Sequence, residues 1–169
     1  MSTTTTTEPH AQSGDDSHGD HDQGFFRKYL WSTDHKVIGF QYMITGLLMA
    51  CIGGYMAYGF RMQIAWPGDW IPGVGFLSSG RYNAFITTHG TVMIFWFAMP
   101  VLIAAFGNWL IPLMIGCDDM AFPRINRLSY QIFFLSAIVI VASLFVQGGG
   151  FGGAWTAYPP LSSGSQYNL

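Results

Sequence analysis

The sequence predicts an all-α membrane protein with three transmembrane helices. Three long runs lack Asp, Glu, Lys and Arg: Val37–Phe60, Ala84–Gly116 and Leu128–Gln147. Charged residues make up only 9% of the chain, against roughly a quarter in soluble domains, and hydrophobic residues reach 50%. From Leu128 to Leu169 not one Asp, Glu, Lys, Arg or His occurs. No water-soluble surface can be tiled that way. The composition excludes a soluble enzyme, a nucleic-acid binder with a basic face and a disordered regulator. Two cysteines, Cys51 and Cys117, argue against a disulfide scaffold and against a multi-Cys zinc or iron–sulfur site.

Residues 1–24 hold five acids and no Lys or Arg, and are rich in Thr, Asp, His and Gly. Without an apolar run they cannot offset the entropy of ordering, so a disordered tail is expected. His10, His18 and His21 alternate there with Asp20 and Asp22, a pattern read as a solvated low-complexity arm before a metal site. No positive segment followed by an apolar one opens the chain, so no signal peptide is expected. The membrane domain is expected over residues 25–169, where four acids face seven bases for a net +3.

The spans follow in order. A helix needs about 20 apolar residues to cross ~30 Å of hydrocarbon, and all three runs qualify. In the first, Gly46, Gly53 and Gly54 suit close helix packing. The second contains Pro100 and Pro112 and, at ~1.5 Å per residue, would reach about 50 Å. Its first ~22 residues are expected in lipid, with Asn108–Gly116 emerging at one face. After the third run comes GGGFGG, then WTAYPP, read as an outer loop. The glycines lack the Lys–Ser/Thr ending of a phosphate loop.

Lys and Arg placement sets the orientation. Arg27, Lys28 and Lys36 precede span one, and Arg124 and Arg127 separate spans two and three. Arg61 and Arg81 lie in the other loop. Five against two predicts an inner N-terminus and an inner 117–127 loop. Phe25, Phe26, Tyr29 and Trp31 then form an inner aromatic belt, and Trp66, Trp70, Trp155 and Tyr158 an outer one.

Within the spans one side chain titrates near neutrality: His89, roughly 8 Å below the outer end of span two. An intramembrane ionisable group is a functional suspect. Its candidate roles are an interhelical hydrogen bond, a proton relay or a metal ligand. His89, Met93, Trp96 and Pro100 follow an i, i+4, i+7, i+11 stripe. That stripe reads either as a packed helix face or as a wall for a flat macrocycle held through its iron by the imidazole. Arg61 closes span one at similar depth, as a snorkelling anchor or as a donor fork for a buried cofactor. At the opposite end, Asn108, Asp119 and Asn126 flank span two, near Asp118, Arg124 and Arg127. They read as a solvated ion-pair loop, or as a proton-collecting carboxylate with amides ordering water above it.

TTHGTVMIFWFAMP (Thr87–Pro100), FGNWLIPLMIG (Phe106–Gly116) and DMAFPRIN (Asp119–Asn126) together resemble subunit I of the haem–copper terminal oxidases. STDHKVIG (Ser32–Gly39) resembles the segment before that family's first helix, and WTAYPPLSS (Trp155–Ser163) its outer loop after the third. The resemblance runs from Phe25 to Leu169 and is closest to the bacterial cytochrome c oxidase branch. Quinol oxidases share many of these motifs.

The resemblance implies the first quarter of a twelve-helix subunit. By position His89 resembles an axial ligand of a low-spin haem, Arg61 the arginine at that haem's formyl group, and Asp119 the entry carboxylate of the D proton pathway, with Asn108 and Asn126 as its asparagines. It implies haem A, subunits II and III, the remainder of subunit I, cytochrome c as donor, and a multi-pass place in the bacterial inner membrane with a cytoplasmic N-terminus. The copper ligands and those of the second haem lie in later helices of the family, so this polypeptide alone is expected to reduce no oxygen. Gln63 stands where many relatives have a glutamate of a calcium or sodium site, ahead of Gly68, and the lost carboxylate weakens such a site. Arg127 replaces a second asparagine after Asn126. The alternative from another class is a non-catalytic membrane module that uses the same spans for helix packing.

Overall fold

The computed structural model describes Tyr29, residues 31–146, 150–160 and Ser162. The acidic tail, Phe25 to Lys28, Gln147 and the end of the chain lie outside the described residues. Among the described residues there is no strand, only an isolated bridge between Ile71 and Gly75. Three helices are long and apolar enough to cross a bilayer: α1 (His35–Ala65), α2 (Ser79–Ile115) and α3 (Pro123–Ser143). The chain is a multi-pass all-α membrane protein.

Each helix begins before the charge-free run that marks it in the sequence. Arg61 lies inside α1, Arg81 inside α2, and Arg124 and Arg127 inside α3. Long basic side chains lay their stems along apolar surface and hold the charge outside, so a terminal Arg does not stop a helix. Local chemistry sets the ends instead. The Asp34 carboxylate caps α1 by accepting from the Lys36 amide at 2.8 Å. Pro123 opens α3, where a missing N–H is harmless. Gly116 closes α2 with φ +70, a left-handed conformation that favours glycine. The third helix ends at Ser143, four residues short of the run's last residue.

α2 is continuous for 37 residues, through both Pro100 and Pro112. Between His89 and Pro112 its geometry changes: Val92–Ala98 and Pro100–Ala105 are π-helical. The Met99 amide bonds to the Ile94 carbonyl, five residues back. This alters which residues share a face. In an α-helix each i+4 step drifts by about 40°, which would carry Met93 and Trp109 to nearly opposite sides. Wider π turns offset the drift. Gly39, Gly46 and Gly53 on α1, seven residues apart, sit against Trp109, Val101 and Met93 on α2, eight residues apart. A Cβ at Gly46 would fall 2.6 Å from Val101 Cγ2, and one at Gly39 would fall 2.5 Å from Trp109 Cδ1. These glycines let the backbones approach where hydrophobic collapse gives no drive. Gly54, expected in this contact, has nothing within 4 Å of a Cβ position, and Gly39 takes its place.

The same geometry splits the expected stripe of His89, Met93, Trp96 and Pro100. His89 and Met93 face α1, whereas Trp96 turns to α3 and donates from Nε1 to Ser136 Oγ at 3.1 Å. α1 is the helix on which both others pack. One buried cluster joins Ile38, Tyr42, Ala105 and Tyr130, and a second joins Met49, Val92 and Ala137. Large apolar side chains on the outer faces, such as Leu48, Leu102 and Ile132, are exposed, as suits lipid or further helices.

At one end of the bundle residues 66–78 fold back along α1. Ile71 and Gly75 exchange backbone hydrogen bonds of 3.1 and 2.8 Å, and the Tyr55 hydroxyl donates to the Gly73 carbonyl at 2.6 Å. Residues 150–160 return to the same end, where the Ala154 amide donates to Thr87 Oγ1 at 3.0 Å. Trp66, Trp70, Trp155 and Tyr158 are all exposed there.

Candidate functional site

Two polar constellations stand at opposite ends of the bundle. The first surrounds His89, in the α-helical first part of α2. Its Nδ1 lies 2.8 Å from the Gly53 carbonyl oxygen of α1. A carbonyl only accepts, so Nδ1 carries the proton. In the neutral imidazole Nε2 is then the bare nitrogen, and it has no hydrogen-bond partner among the described residues. A half-buried imidazole held in one tautomer with the other nitrogen bare has the form of a metal-ligating histidine with its orienting carbonyl in place. Phe60 meets the ring edge-on at 5.4 Å and limits its rotation. A bare imidazole nitrogen of this kind suits a metal ion such as iron.

Arg61 follows Phe60 on α1 and is exposed, with no hydrogen bond or ion pair among the described residues. It lies in the C-terminal half of α1, as does the Gly53 contact of His89, and makes no hydrogen bond to His89. Gln63 Oε1 is buried and has no partner among the described residues. That neutral oxygen stands alone: no group of three His, Cys, Asp or Glu side chains comes together among the described residues. An amide oxygen is a weaker ligand for a hard divalent cation than the carboxylate it replaces.

The second constellation lies where α1 begins, α2 ends and α3 begins. Asn108 is 5% exposed and donates from Nδ2 to the Ala104 carbonyl at 2.7 Å. Its Oδ1 accepts from Asn126 Nδ2 at 2.5 Å. The sequence-predicted pair is thus in direct contact across α2 and α3. Asp119, on the intervening loop, does not touch either asparagine. It does share with Asn126 an open, mostly apolar cavity of about 500 Å³, lined also by Pro112, Phe122, Ile125 and Ser129.

Asp119 Oδ1 accepts from the Met120 amide at 2.7 Å and lies 3.0 Å from His35 Nδ1. The Met120 N–H holds the Asp119 carboxyl below the usual carboxylate range; burial opposes it, and the His35 side chain adds to the lowering. Arg127 is turned away from this mouth. Its Nη1 donates to the Trp31 carbonyl at 3.2 Å and its guanidinium lies 5.7 Å over the Trp31 ring.

Five further residues take part that the sequence analysis does not single out: His35, Tyr42, Thr45, Ser129 and Tyr130. His35, 3% exposed, backs Asp119. The Tyr42 hydroxyl donates to Ser129 Oγ at 3.0 Å, and Ser129 donates on to the Asn126 carbonyl at 2.6 Å. Thr45 and Tyr130 bond one turn further along at 3.1 Å. A signal existed: Asn126, Ser129 and Tyr130 follow an i, i+3, i+4 polar stripe opposite Tyr42 and Thr45, themselves i, i+3.

Residues 37–169 match the family model described as Cytochrome C and Quinol oxidase polypeptide I. The chain is 45% identical over 135 residues to cytochrome c oxidase subunit 1 of Thermostichus vulcanus, covering 80% of this chain and 23% of that protein. It is 36% identical over 140 residues to the alternative cytochrome c oxidase subunit 1 of Bradyrhizobium diazoefficiens, covering 83% and 23%. It is 41% identical over 138 residues to the heme-copper oxidase subunit I+III of Aeropyrum pernix, covering 80% and 16%. The chain therefore spans about a quarter or less of the length of these relatives.

Proposed function

Because the chain belongs to the cytochrome c and quinol oxidase polypeptide I family, we propose that it forms the N-terminal three-helix part of an oxidase subunit I, holding a low-spin haem at one end and admitting protons at the other. The observation that carries this reading is the His89–Gly53 contact of 2.8 Å, which supports Nε2 as an iron ligand. Gly53 fixes the tautomer, Phe60 limits ring rotation, and Arg61, one residue on, is free to hold a polar haem substituent, the formyl group of haem A. Bound there, the haem takes up and passes on one electron at a time.

Asp119 is the proton-collecting group of this reading. It combines 46% side-chain exposure with a carboxylate held ionised, so it meets bulk water and carries charge to attract protons. Behind it the Asn126–Asn108 pair offers uncharged donors and acceptors leading into the bundle. Electrons handled near one face and protons taken at the other give charge separation across the membrane.

The names of the relatives support cytochrome c as the donor of the complete enzyme, and the family resemblance implies oxygen as its acceptor. The I+III name supports subunit III as a neighbour, and the family architecture supports subunit II and the remaining helices of subunit I. Copper and the second haem belong to those later helices. His35 and His89 are the only histidines among the described residues, and they stand at opposite ends of the bundle. The excess of Lys and Arg at the Asp119 end supports a cytoplasmic N-terminus in a bacterial inner membrane.

The test is proton uptake by the assembled oxidase in vesicles with Asp119→Asn. Slowed uptake from the N-terminal side, with haem absorption intact, is expected. Wild-type turnover and pumping would remove Asp119 from the pathway.

A further inference from the structure

We propose that His35 is a positioning residue for Asp119, pinning the carboxylate at the cavity mouth through an Nδ1–H···Oδ1 hydrogen bond across 84 residues of chain. The proposal rests on the reading of Asp119 as the proton-collecting group. Asp119 sits on the loop after the left-handed Gly116, beyond the last turn of α2. Its carboxylate oxygen has two hydrogen bonds: one from the adjacent Met120 amide, which moves with the loop, and one to His35, which does not. His35 is therefore the side chain that ties the carboxylate to the bundle. It is built for this, with 3% exposure in the first turn of α1, where Asp34 caps the helix and Trp109 Nε1 donates to the Lys36 carbonyl at 3.1 Å.

The groups around the imidazole leave this role open to it. Asp34 Oδ1 lies 3.7 Å from Nδ1, too long for a hydrogen bond, so the proton on Nδ1 points to Asp119 at 3.0 Å. Arg127, the nearest base on α3 by sequence, is occupied by Trp31. An ionised carboxylate accepts only, so Nδ1 must donate. Position matters because Asp119 and Asn126 line the same cavity without touching. A carboxylate released from His35 would swing on its loop and lose its place over that cavity.

The contact atom makes the proposal sharp. The side-chain amide of Asn places its nitrogen at the δ position, where the Nδ1 of His stands, whereas that of Gln reaches one bond further. In the assembled oxidase in vesicles, His35→Leu and His35→Gln are expected to slow proton uptake about tenfold, the factor expected for loss of one charge-assisted hydrogen bond. His35→Asn is expected to restore uptake to within about twofold, since it keeps the donor. The low-spin haem absorption, at the other end of the bundle, reports assembly and should not change. If His35→Leu fails to assemble, the Gln–Asn contrast decides. Wild-type uptake in Leu or Gln, beside slow uptake in Asp119→Asn, would overturn the role of His35 alone. Uptake in Asn as slow as in Gln would also overturn it. Wild-type uptake in Asp119→Asn would overturn the reading of Asp119 itself, and this proposal with it.

Discussion

His89 Nδ1 on α2 and the Gly53 carbonyl oxygen on α1 lie 2.8 Å apart. A backbone carbonyl that far from a helix terminus is normally committed to its own helix, and here it also accepts from a neighbouring span. The approach is close because residue 53 lacks a side chain. A Cβ there would fall 2.7 Å from Met93 Sδ and 3.7 Å from His89 Nδ1. Gly53→Ala is therefore expected to cost about 1 kcal/mol, since a thioether can swing aside, and the bulkier Gly53→Val up to about 3 kcal/mol. The check is thermal loss of the haem absorption in the purified oxidase. Equal stability of both variants would contradict the contact.

The glycine ladder makes a second, internally controlled prediction. A Cβ at Gly46 would lie 2.6 Å from Val101 Cγ2, with the Trp96 and Phe97 carbonyl oxygens next at 3.6 and 3.7 Å. Valine is stiff at χ1 and cannot swing away. Gly46→Ala should destabilise by about 1–3 kcal/mol. Gly54→Ala, one helical face away with nothing within 4 Å, should stay within about 0.5 kcal/mol of wild type. Thermal denaturation of the two variants side by side settles the difference.

Asn126→Ala removes the donor to Asn108 Oδ1 inside the bundle. Asn108 is 5% exposed, so its oxygen is left without a partner. The expected cost is about 1–3 kcal/mol, with slower proton uptake in the same variant. Asn126→Asp, which keeps the shape but cannot donate when ionised, should not rescue stability at neutral pH. A wild-type melting temperature in Asn126→Ala would show that the pair contributes nothing.

Acid should loosen the mouth. The Asp119 carboxyl is held below its usual range, first by the Met120 amide and then by His35. A depressed folded-state pKa stabilises above the unfolded value of about 3.9, and that contribution is lost as pH falls through the lower folded value. Hydrogen exchange at the Met120 amide should therefore accelerate below about pH 4, relative to amides within α1. In Asp119→Asn that acid-dependent step should vanish. Its persistence would assign the step to another carboxylate, such as the adjacent Asp118 or Asp34 beside His35.

Much of this was legible in the residues, for physical reasons. A charge-free run of 20 residues has few alternatives to a membrane helix, so the three spans follow from composition alone. His89 stood out because an ionisable group in hydrocarbon is costly, and Asn108 and Asn126 because they flank a carboxylate near a helix end. Three features were not legible. The π-helical stretch depends on how α2 meets the glycine ladder of α1, and no local propensity marks it. It is the reason that Trp96 faces Ser136 instead of sharing a wall with His89. The partnership of His35 with Asp119 joins segments 84 residues apart, and single-sequence periodicity carries no information at that range. The helix ends differ from the ends of the charge-free runs because a basic residue does not stop a helix: Arg61, Arg81 and Arg124 lie inside helices.

The most direct measurement is the reduced-minus-oxidised optical spectrum of the assembled oxidase carrying His89→Gly, recorded with and without added imidazole. Loss of the low-spin haem band in the variant, and its return when free imidazole enters the vacated space, is the predicted result. A low-spin band that persists unchanged without imidazole would show that the iron is held elsewhere, and the site built on Nε2 of His89 would be wrong.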